Sequence, residues 1–273
     1  RTMARSGIPA YDAILSVGQS LQELPAYIGG SSLAAMKYAL IPDTTVDNQS
    51  YNDVDAFMAT GEALIAGATR LLNNGYILDD RYSRVYHRWL KYGFKDWHTN
   101  SLPLMHEDTE LEVNLIYKLD GGQPVRSLAQ VIESFDFGLL HTGFDCEAME
   151  WKNMQSYLFP QHSESYYGPL PMMPGRRDTW VQGFISQYQG LRQPGRYMKF
   201  VDYGYDMSLV KPDLVLGYRA ADAYLSERTD HPDKVALGTI FGRIADEIAT
   251  GDHDPLRELT ADIVYLDDLD VIM

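Results

Sequence analysis

The chain has 273 residues, with 23 Lys and Arg against 38 Asp and Glu, so its formal charge is −15. This acidity disfavours a general nucleic-acid-binding protein, because affinity for phosphate backbones comes from Lys and Arg; only a local basic surface is compatible with RNA. Hydrophobic residues make up 45% of the chain, as in ordinary globular proteins, and the single cysteine, Cys146, excludes an internal disulfide framework and a cysteine-rich zinc site.

The first predicted unit is a helix, a strand, a glycine turn and a second helix. Apolar residues at helical spacing predict a helix over residues 8–24, which Pro25 ends. The apolar run 26–28 predicts a short strand, which is followed by the turn Gly29-Gly30-Ser31-Ser32, here called the glycine turn. A helix over residues 33–40 completes the unit.

The next elements are a polar loop, a strand and another helix, followed later by a hairpin. Residues 42–52 are polar and rich in turn formers, which indicates a loop. Polar and apolar residues alternate from residue 53, which predicts a strand over 53–58. Thr60 has the position of an N-cap for the following helix. Residues 101–105 and 110–117 predict the two strands of a hairpin.

After the hairpin, a helical segment is predicted at residues 126–134 and a strand at 135–141. The composition changes near residue 150, and residues 151–205 are rich in Tyr, Gly, Pro and Met. Helices are predicted at 213–227 and 233–250. We therefore predict an α+β protein with a mixed or antiparallel sheet in a domain over 1–150, and an irregular segment plus a helical domain over 151–273.

The most informative residues are Asp53 and Asp55, here called the acidic pair. Alternate residues of a strand point to the same face, so the two carboxylates converge. Such oxygen ligands suit Mg²⁺, which binds one or two carboxylates together with water and substrate phosphates. Glu112, on another predicted strand, is a third carboxylate, and Glu110 is the alternative because it lies on the same face. Three carboxylates can hold two metal ions.

The glycine turn is a second candidate site. A turn of this kind between a strand and a helix lets backbone N–H groups approach a phosphate, and the positive end of the helix dipole favours the anion. Each motif alone has an ordinary structural explanation: the acidic pair fits the solvated face of an edge strand, and the two glycines fit a tight turn.

The order of these parts resembles the nucleotidyltransferase superfamily of DNA polymerase β. That family has a glycine-(glycine/serine) turn, an acid-x-acid strand and a third acid on a neighbouring strand. Gly29, Gly30 and Ser31 match the turn, the acidic pair matches the strand, and Glu112 matches the third position. The resemblance covers about residues 10–145. The gap from Ser31 to Asp53 is longer than is usual in the family, so the loop at 41–52 would be an insertion.

The resemblance implies a Mg²⁺-dependent enzyme, with two metal ions and Mn²⁺ as an alternative, that binds a nucleoside triphosphate such as ATP. Gly29, Gly30, Ser31 and Ser32 would bind its phosphates. The acidic pair and Glu112 would hold the metal ions, and Glu112 would ligate the metal beside an acceptor hydroxyl or deprotonate that hydroxyl. Nucleoside monophosphate would pass to the acceptor, whether small molecule, RNA end or protein, and pyrophosphate would leave.

Two basic regions are further candidates for nucleotide or RNA contact. One face of a predicted helix carries four basic residues, here called the basic stripe: Arg84, Arg88, Lys91 and Lys95. The simpler explanation for them is a solvated face over Val85, Trp89 and Tyr92. The second region combines arginines and a lysine with aromatic residues that could stack on bases: Arg176, Arg177, Arg192, Arg196 and Lys199 with Trp180, Tyr188 and Tyr197.

Two other functions remain open at this stage. A catalytically silent protein with the same fold could act as a protein- or RNA-binding factor, and a generic acidic α/β domain could carry the acid-x-acid sequence without function. No apolar stretch reaches the length of a membrane span, and residues 1–5 are not followed by the apolar core of a signal peptide. We therefore expect a soluble, cytoplasmic protein without a membrane partner.

Overall fold

The computed structural model describes residues 7–40, 44–47, 49–94, 100–120, 123–133, 135, 137–152, 189–208, 210–227, 231–251, 254 and 256–258. The chain divides into two compact units, Arg1–Ser163 and Glu164–Met273. Each unit is described here by itself. Within the described residues, no helix combines the length and the apolar character needed to cross a membrane.

The strands of the first unit, in chain order, are β1 (Ala26–Gly29), β2 (Asp53–Met58), β3 (Tyr76–Leu78), β4 (Asn100–His106), β5 (Glu112–Tyr117), β6 (Leu119–Asp120), β7 (Gln123–Pro124), β8 (Gly143–Asp145) and β9 (Glu150–Lys152). Its helices are α1 (Ala10–Ser20), α2 (Ser31–Ala39), α3 (Gly61–Asn73), α4 (Asp80–Tyr92) and α5 (Leu128–Glu133), with a 3-10 turn at Gly138–Leu140.

Seven strands form one sheet in the order β3-β4-β5-β2-β1-β8-β9. The pairing of β2 with β5 is parallel, and the other neighbouring pairs are antiparallel. Strands β6 and β7 form a separate two-stranded ribbon. The predicted α+β class with a mixed sheet is therefore confirmed.

Each face of the sheet has its own hydrophobic core. On one face, Val54 and Ala56 of β2 and Val113 and Leu115 of β5 pack with apolar residues of α1, α3 and α4. On the other face, Phe57 packs with residues of α5. The middle strands are covered on both faces after their carboxylate residues. This explains why the residues that follow the carboxylates in each strand are mostly apolar.

Cys146 belongs to the first core and is fully buried. Burial raises the pKa of its thiol, and the nearby Asp145 carboxylate raises it further. The thiol therefore stays protonated at neutral pH and acts as a small apolar side chain, as the sequence indicated.

The predicted strand over residues 135–141 is wrong. Local hydrogen bonds occupy this backbone, since the amides of Leu140 and His141 donate to the carbonyls of Phe137 and Gly138 at 3.0 Å. The ring nitrogen Nε2 of His141 also lies 3.0 Å from the carbonyl of Phe135. The chain forms a 3-10 turn here, and the strand that joins the sheet is β8.

The described part of the second unit is helical. Its helices are α6 (Gln189–Asp202), α7 (Lys211–Ser226) and α8 (Pro232–Thr250), which confirms the helices predicted at 213–227 and 233–250. Helices α7 and α8 approach closely at Gly242, where an added Cβ would lie 2.8 Å from Oδ2 of Asp222. Tyr218 and Phe241 contact each other across the pair with ring centroids 5.6 Å apart.

Candidate functional site

The acidic pair lies at the start of β2, on the face opposite the first core. Asp53 and Asp55 are partly exposed, whereas Val54 between them is fully buried. The strand forms because its other face supplies apolar side chains to the core, and the alternation leaves both carboxylates on the same open surface.

Strand β5 adds a third carboxylate beside the acidic pair. In the parallel register, Asp53 is opposite Glu112 and Asp55 is opposite Asn114. Opposed residues of neighbouring strands point to the same face about 4.8 Å apart, so Glu112 faces the same surface as the acidic pair. Glu110 lies outside the strand, in an exposed turn where its amide donates to the carbonyl of His106 at 3.0 Å.

Two polar side chains next to the acids connect β4, β5 and β2. The Asn114 amide Nδ2 donates to Oδ1 of Asp55 at 3.4 Å, and the Ser101 hydroxyl donates to Oδ1 of Asn114 at 2.5 Å. This chain of contacts orients the Asp55 carboxylate. Sequence reasoning missed both residues, although Glu112-x-Asn114 repeats the spacing of Asp53-x-Asp55 and could have indicated Asn114.

The glycine turn meets the acidic pair at Asp55. Gly29 of β1 is opposite Asp55 in the antiparallel register, and Gly30 has φ +88°, which L side chains rarely adopt. A Cβ added at Gly30 would lie 2.7 Å from Oδ2 of Asp55. The absence of a side chain at Gly30 therefore leaves room for the Asp55 carboxylate, and α2 begins at the next residue.

The first residues of α2 are buried. Ser31 is 6% exposed and Ser32 is fully buried, and the Ser32 hydroxyl has no hydrogen-bond partner among the described residues. The first N–H groups of a helix also lack partners within the helix. The helix N-terminus that follows Gly30 thus lies beside Asp55 and provides backbone donors for an anion.

The acidic pair and Glu112 fit Mg²⁺ by the chemistry of their donors. Carboxylate oxygens are the ligands that this ion prefers, and it is usually bound by one or two carboxylates while water and substrate phosphates complete its shell. Within the described ranges, no three His, Cys, Asp or Glu side chains are already placed to hold a metal ion.

Arg84 and Arg88, which were predicted as nucleotide ligands, do not lie on the acidic face. Arg84 and Arg88 are exposed residues of α4, and α4 packs through Tyr86 into the core on the opposite face of the sheet. The buried side of α4 also differs from the prediction, because Val85 and Tyr92 are 37% and 67% exposed. The Tyr86 hydroxyl forms a 2.8 Å hydrogen bond with Thr69 of α3, which fixes the helix in this rotation.

The second basic region belongs to the other unit. Arg196 and Lys199 lie on α6 with partly buried side chains, and Nζ of Lys199 is 5.7 Å from the centre of the Tyr203 ring. Several residues of the two basic regions lie outside the residues or side chains that the structure describes: Lys95, Arg176, Arg177, Trp180, Tyr188 and Arg192.

No family model matches the chain, and no curated protein or solved structure matches it either.

Proposed function

We propose that this chain is a magnesium-dependent nucleotidyltransferase, which moves a nucleoside monophosphate from a nucleoside triphosphate to a hydroxyl acceptor. The observation that carries the proposal is the strand register, in which Asp53 is opposite Glu112 and Asp55 is opposite Gly29. Three carboxylates thus share a sheet face with a turn suited to phosphate. The resemblance in motif order supports the same function.

The glycine turn supplies the phosphate-binding groups. We assign the amides at the start of α2 and the Ser32 hydroxyl as donors to the β- and γ-phosphates, and the helix dipole favours the negative charge. Gly30 contributes by the absence of a side chain, because a Cβ at this position would contact Asp55. Binding of the triphosphate would therefore place its α-phosphate next to the acidic pair.

The carboxylates would hold the metal and orient the acceptor. The acidic pair and Glu112 are the ligands we assign to Mg²⁺, which when bound neutralises phosphate charge and lowers the pKa of a ligated hydroxyl. Asn114 keeps Asp55 in position. The acceptor oxygen would form a bond to the α-phosphorus, the bond from that phosphorus to the bridging oxygen would break, pyrophosphate would leave, and Glu112 would receive the hydroxyl proton.

The test is calorimetric titration of each of the four nucleoside triphosphates in the presence of Mg²⁺. Wild-type protein should bind at least one of them, and Asp53→Asn combined with Asp55→Asn should weaken that binding at least about tenfold, because close charge-assisted contacts contribute more than 1.4 kcal/mol. Glu110→Asn is a control that changes an exposed carboxylate outside the strand.

Absence of nucleotide binding by folded wild-type protein would contradict the proposal. Binding that is unaffected by the double substitution would contradict the assigned site. In the first case the catalytically silent scaffold becomes the better hypothesis, and a protein or RNA partner becomes the object of the search.

A further inference from the structure

Among the described residues, the acidic face is covered on the β1 side and exposed on the β3 side. On the β1 side, the Phe135 ring lies over Gly29, where an added Cβ would be 3.0 Å from Cε2 of that ring, and Phe135 packs edge-on against Phe57. On the β3 side, apolar side chains are exposed. A molecule that reaches Glu112 across the sheet therefore approaches over β4 and β3.

Three apolar side chains form this open surface, here called the apolar patch. Met105 of β4 is opposite Glu112, and Ile77 of β3 is opposite Met105, so they continue the row that begins with Asp53 and Glu112. Met105 is 37% and Ile77 41% exposed. Pro103, opposite Asn114, extends the patch along β4 and is partly exposed.

The dimensions of the apolar patch fit one ring rather than a macromolecular segment. Neighbouring strands are about 4.8 Å apart, and residues two apart on a strand are about 6.7 Å apart. The patch therefore measures roughly 5 by 7 Å between its side-chain origins. A stable macromolecular contact buries about 800 Å² on each partner, far more than three side chains offer.

An acidic turn borders the apolar patch at the end nearest Glu112. Glu107, Asp108 and Glu110 are all exposed. Two backbone amides of the turn anchor it beside β3 and β4. The Glu107 amide donates to the carbonyl of Gly75, the residue before β3, at 3.0 Å, and the Asp108 amide donates to the side-chain Nδ1 of His106 at 3.2 Å. The turn thus holds three exposed acidic residues beside an apolar surface.

We propose that the apolar patch and the acidic turn bind the acceptor, and that the acceptor is a small organic cation with an apolar ring and a hydroxyl group. The proposal rests on the nucleotidyltransferase function proposed above, because that reaction requires a hydroxyl near Glu112. The ring covers Met105 and Ile77, and the positive charge faces the acidic turn. A polyanionic acceptor such as RNA would meet repulsion at the same place.

The test uses three matched probes that share a phenyl ring and a secondary hydroxyl: 2-amino-1-phenylethanol (cationic), 1-phenylethanol (neutral) and mandelate (anionic). Each is titrated without nucleotide into protein that carries 13C-methyl methionine, and the methyl signal of Met105 is assigned with Met105→Leu. We expect the cation to shift the Met105 signal in a saturable way, with at least about threefold tighter binding than the neutral probe. Equal binding of cation and anion, or no shift with any probe, would overturn the proposal.

Removal of the turn charges is the second arm of the test. Glu107→Gln, Asp108→Asn and Glu110→Gln together should weaken binding of the cation at least about threefold and leave the neutral probe unchanged.

A control with the same change in net charge combines Asp12→Asn, Glu62→Gln and Glu147→Gln. These exposed residues lie on α1, on α3 and in the turn after β8. The control should retain the affinity of wild type; an equal loss in both triple variants would show that only net charge matters, which contradicts the proposed site.

The two proposals fail in distinguishable ways, because the methyl titration needs no nucleotide and the calorimetry needs no acceptor. Nucleotide binding without a Met105 response would overturn only the assigned acceptor site. A Met105 response to the cation without nucleotide binding would leave a cation site and overturn its role as the acceptor site.

Discussion

At Gly30, both the backbone conformation and a neighbouring carboxylate exclude a side chain. Gly30→Ala places a Cβ at φ +88° and within 2.7 Å of Oδ2 of Asp55. A non-glycine residue in this conformation costs about 1–3 kcal/mol, and displacement of the carboxylate adds to that cost. We expect reduced stability in urea unfolding and weaker nucleotide binding.

Gly93 provides a matched control for this substitution. It follows α4 with φ 78° and ψ 158°, whereas Gly30 has φ 88° and ψ −157°, and an added Cβ at Gly93 has no neighbour within 4 Å. Gly93→Ala therefore measures the conformational cost alone. If Gly30→Ala destabilises the protein no more than Gly93→Ala, the contact with Asp55 is unimportant.

Because the phenol of Tyr76 is buried, we expect the folded protein to lose stability at alkaline pH. Burial raises the pKa of its phenol to about 12, and a hydrogen bond with Ser16 opposes this only in part. Above pH 10 the phenol ionises in the unfolded chain while it stays protonated in the folded protein, so stability falls as pH rises from about 10 towards about 12.

Tyr76→Phe removes this contribution. Between pH 8 and pH 11, wild-type protein should lose about 1 kcal/mol more unfolding free energy than the variant, as measured by urea unfolding at both pH values. Parallel losses in the two proteins would show that the Tyr76 phenol is not protected from ionisation in the folded state.

Sequence reasoning identified the acids of the candidate site but left Glu110 and Glu112 as alternatives. The ambiguity arises because residues two apart share a face only if both belong to the strand, and β5 begins at Glu112. The turn before it reverses the chain, so Glu110 leaves that alternation. Local sequence does not specify the residue at which a strand begins as firmly as it specifies that a strand exists.

At the scale of the elements, the pairing of strands that are neighbours in the sequence was predictable, and the pairing of β2 with β5 was not. The hairpin of β4 and β5 follows from two alternating segments around a polar turn. The parallel pairing of β2 with β5 connects segments separated by two helices and two strands, and no local pattern in either strand specifies that partner. This pairing is the one that unites the three carboxylates.

Helix α4 shows how periodicity can predict a helix but not its buried side. The set Val85, Trp89 and Tyr92 and the set Tyr82, Tyr86 and Trp89 both have helical spacing, so either set could have faced the core. The contact of Tyr86 with α3 decides between them. The side chains of Val85 and Tyr92 are left exposed as a result.

Helix α3 depends on its N-cap. The Thr60 hydroxyl accepts a hydrogen bond from the Ala63 amide at 3.1 Å, and α3 supplies apolar residues to the first core. Thr60→Ala should lower the unfolding free energy by about 1 kcal/mol, measured by urea unfolding. Thr60→Ser keeps the hydroxyl and should lose less; equal losses would assign the effect to the missing methyl group instead.

At the scale of the whole molecule, both hydrophobic cores described above lie in the first unit. A segment of this length can bury enough apolar surface to fold alone. We expect the fragment Arg1–Ser163 to unfold cooperatively in urea and to give a dispersed amide NMR spectrum. A fragment without cooperative unfolding would show that the second unit contributes to the fold of the first.

The alternation along β2 and β5 restricts how the candidate site can change over evolutionary time. The carboxylates and the buried residues Val54 and Val113 occupy opposite faces of the same two strands. A shift of one strand by one residue would turn acids into the core and apolar side chains into water. Descendants of this chain can therefore lose an acid by point substitution and keep the fold, but they cannot move it to a neighbouring position. In such a lineage, the candidate site is lost more readily than the fold.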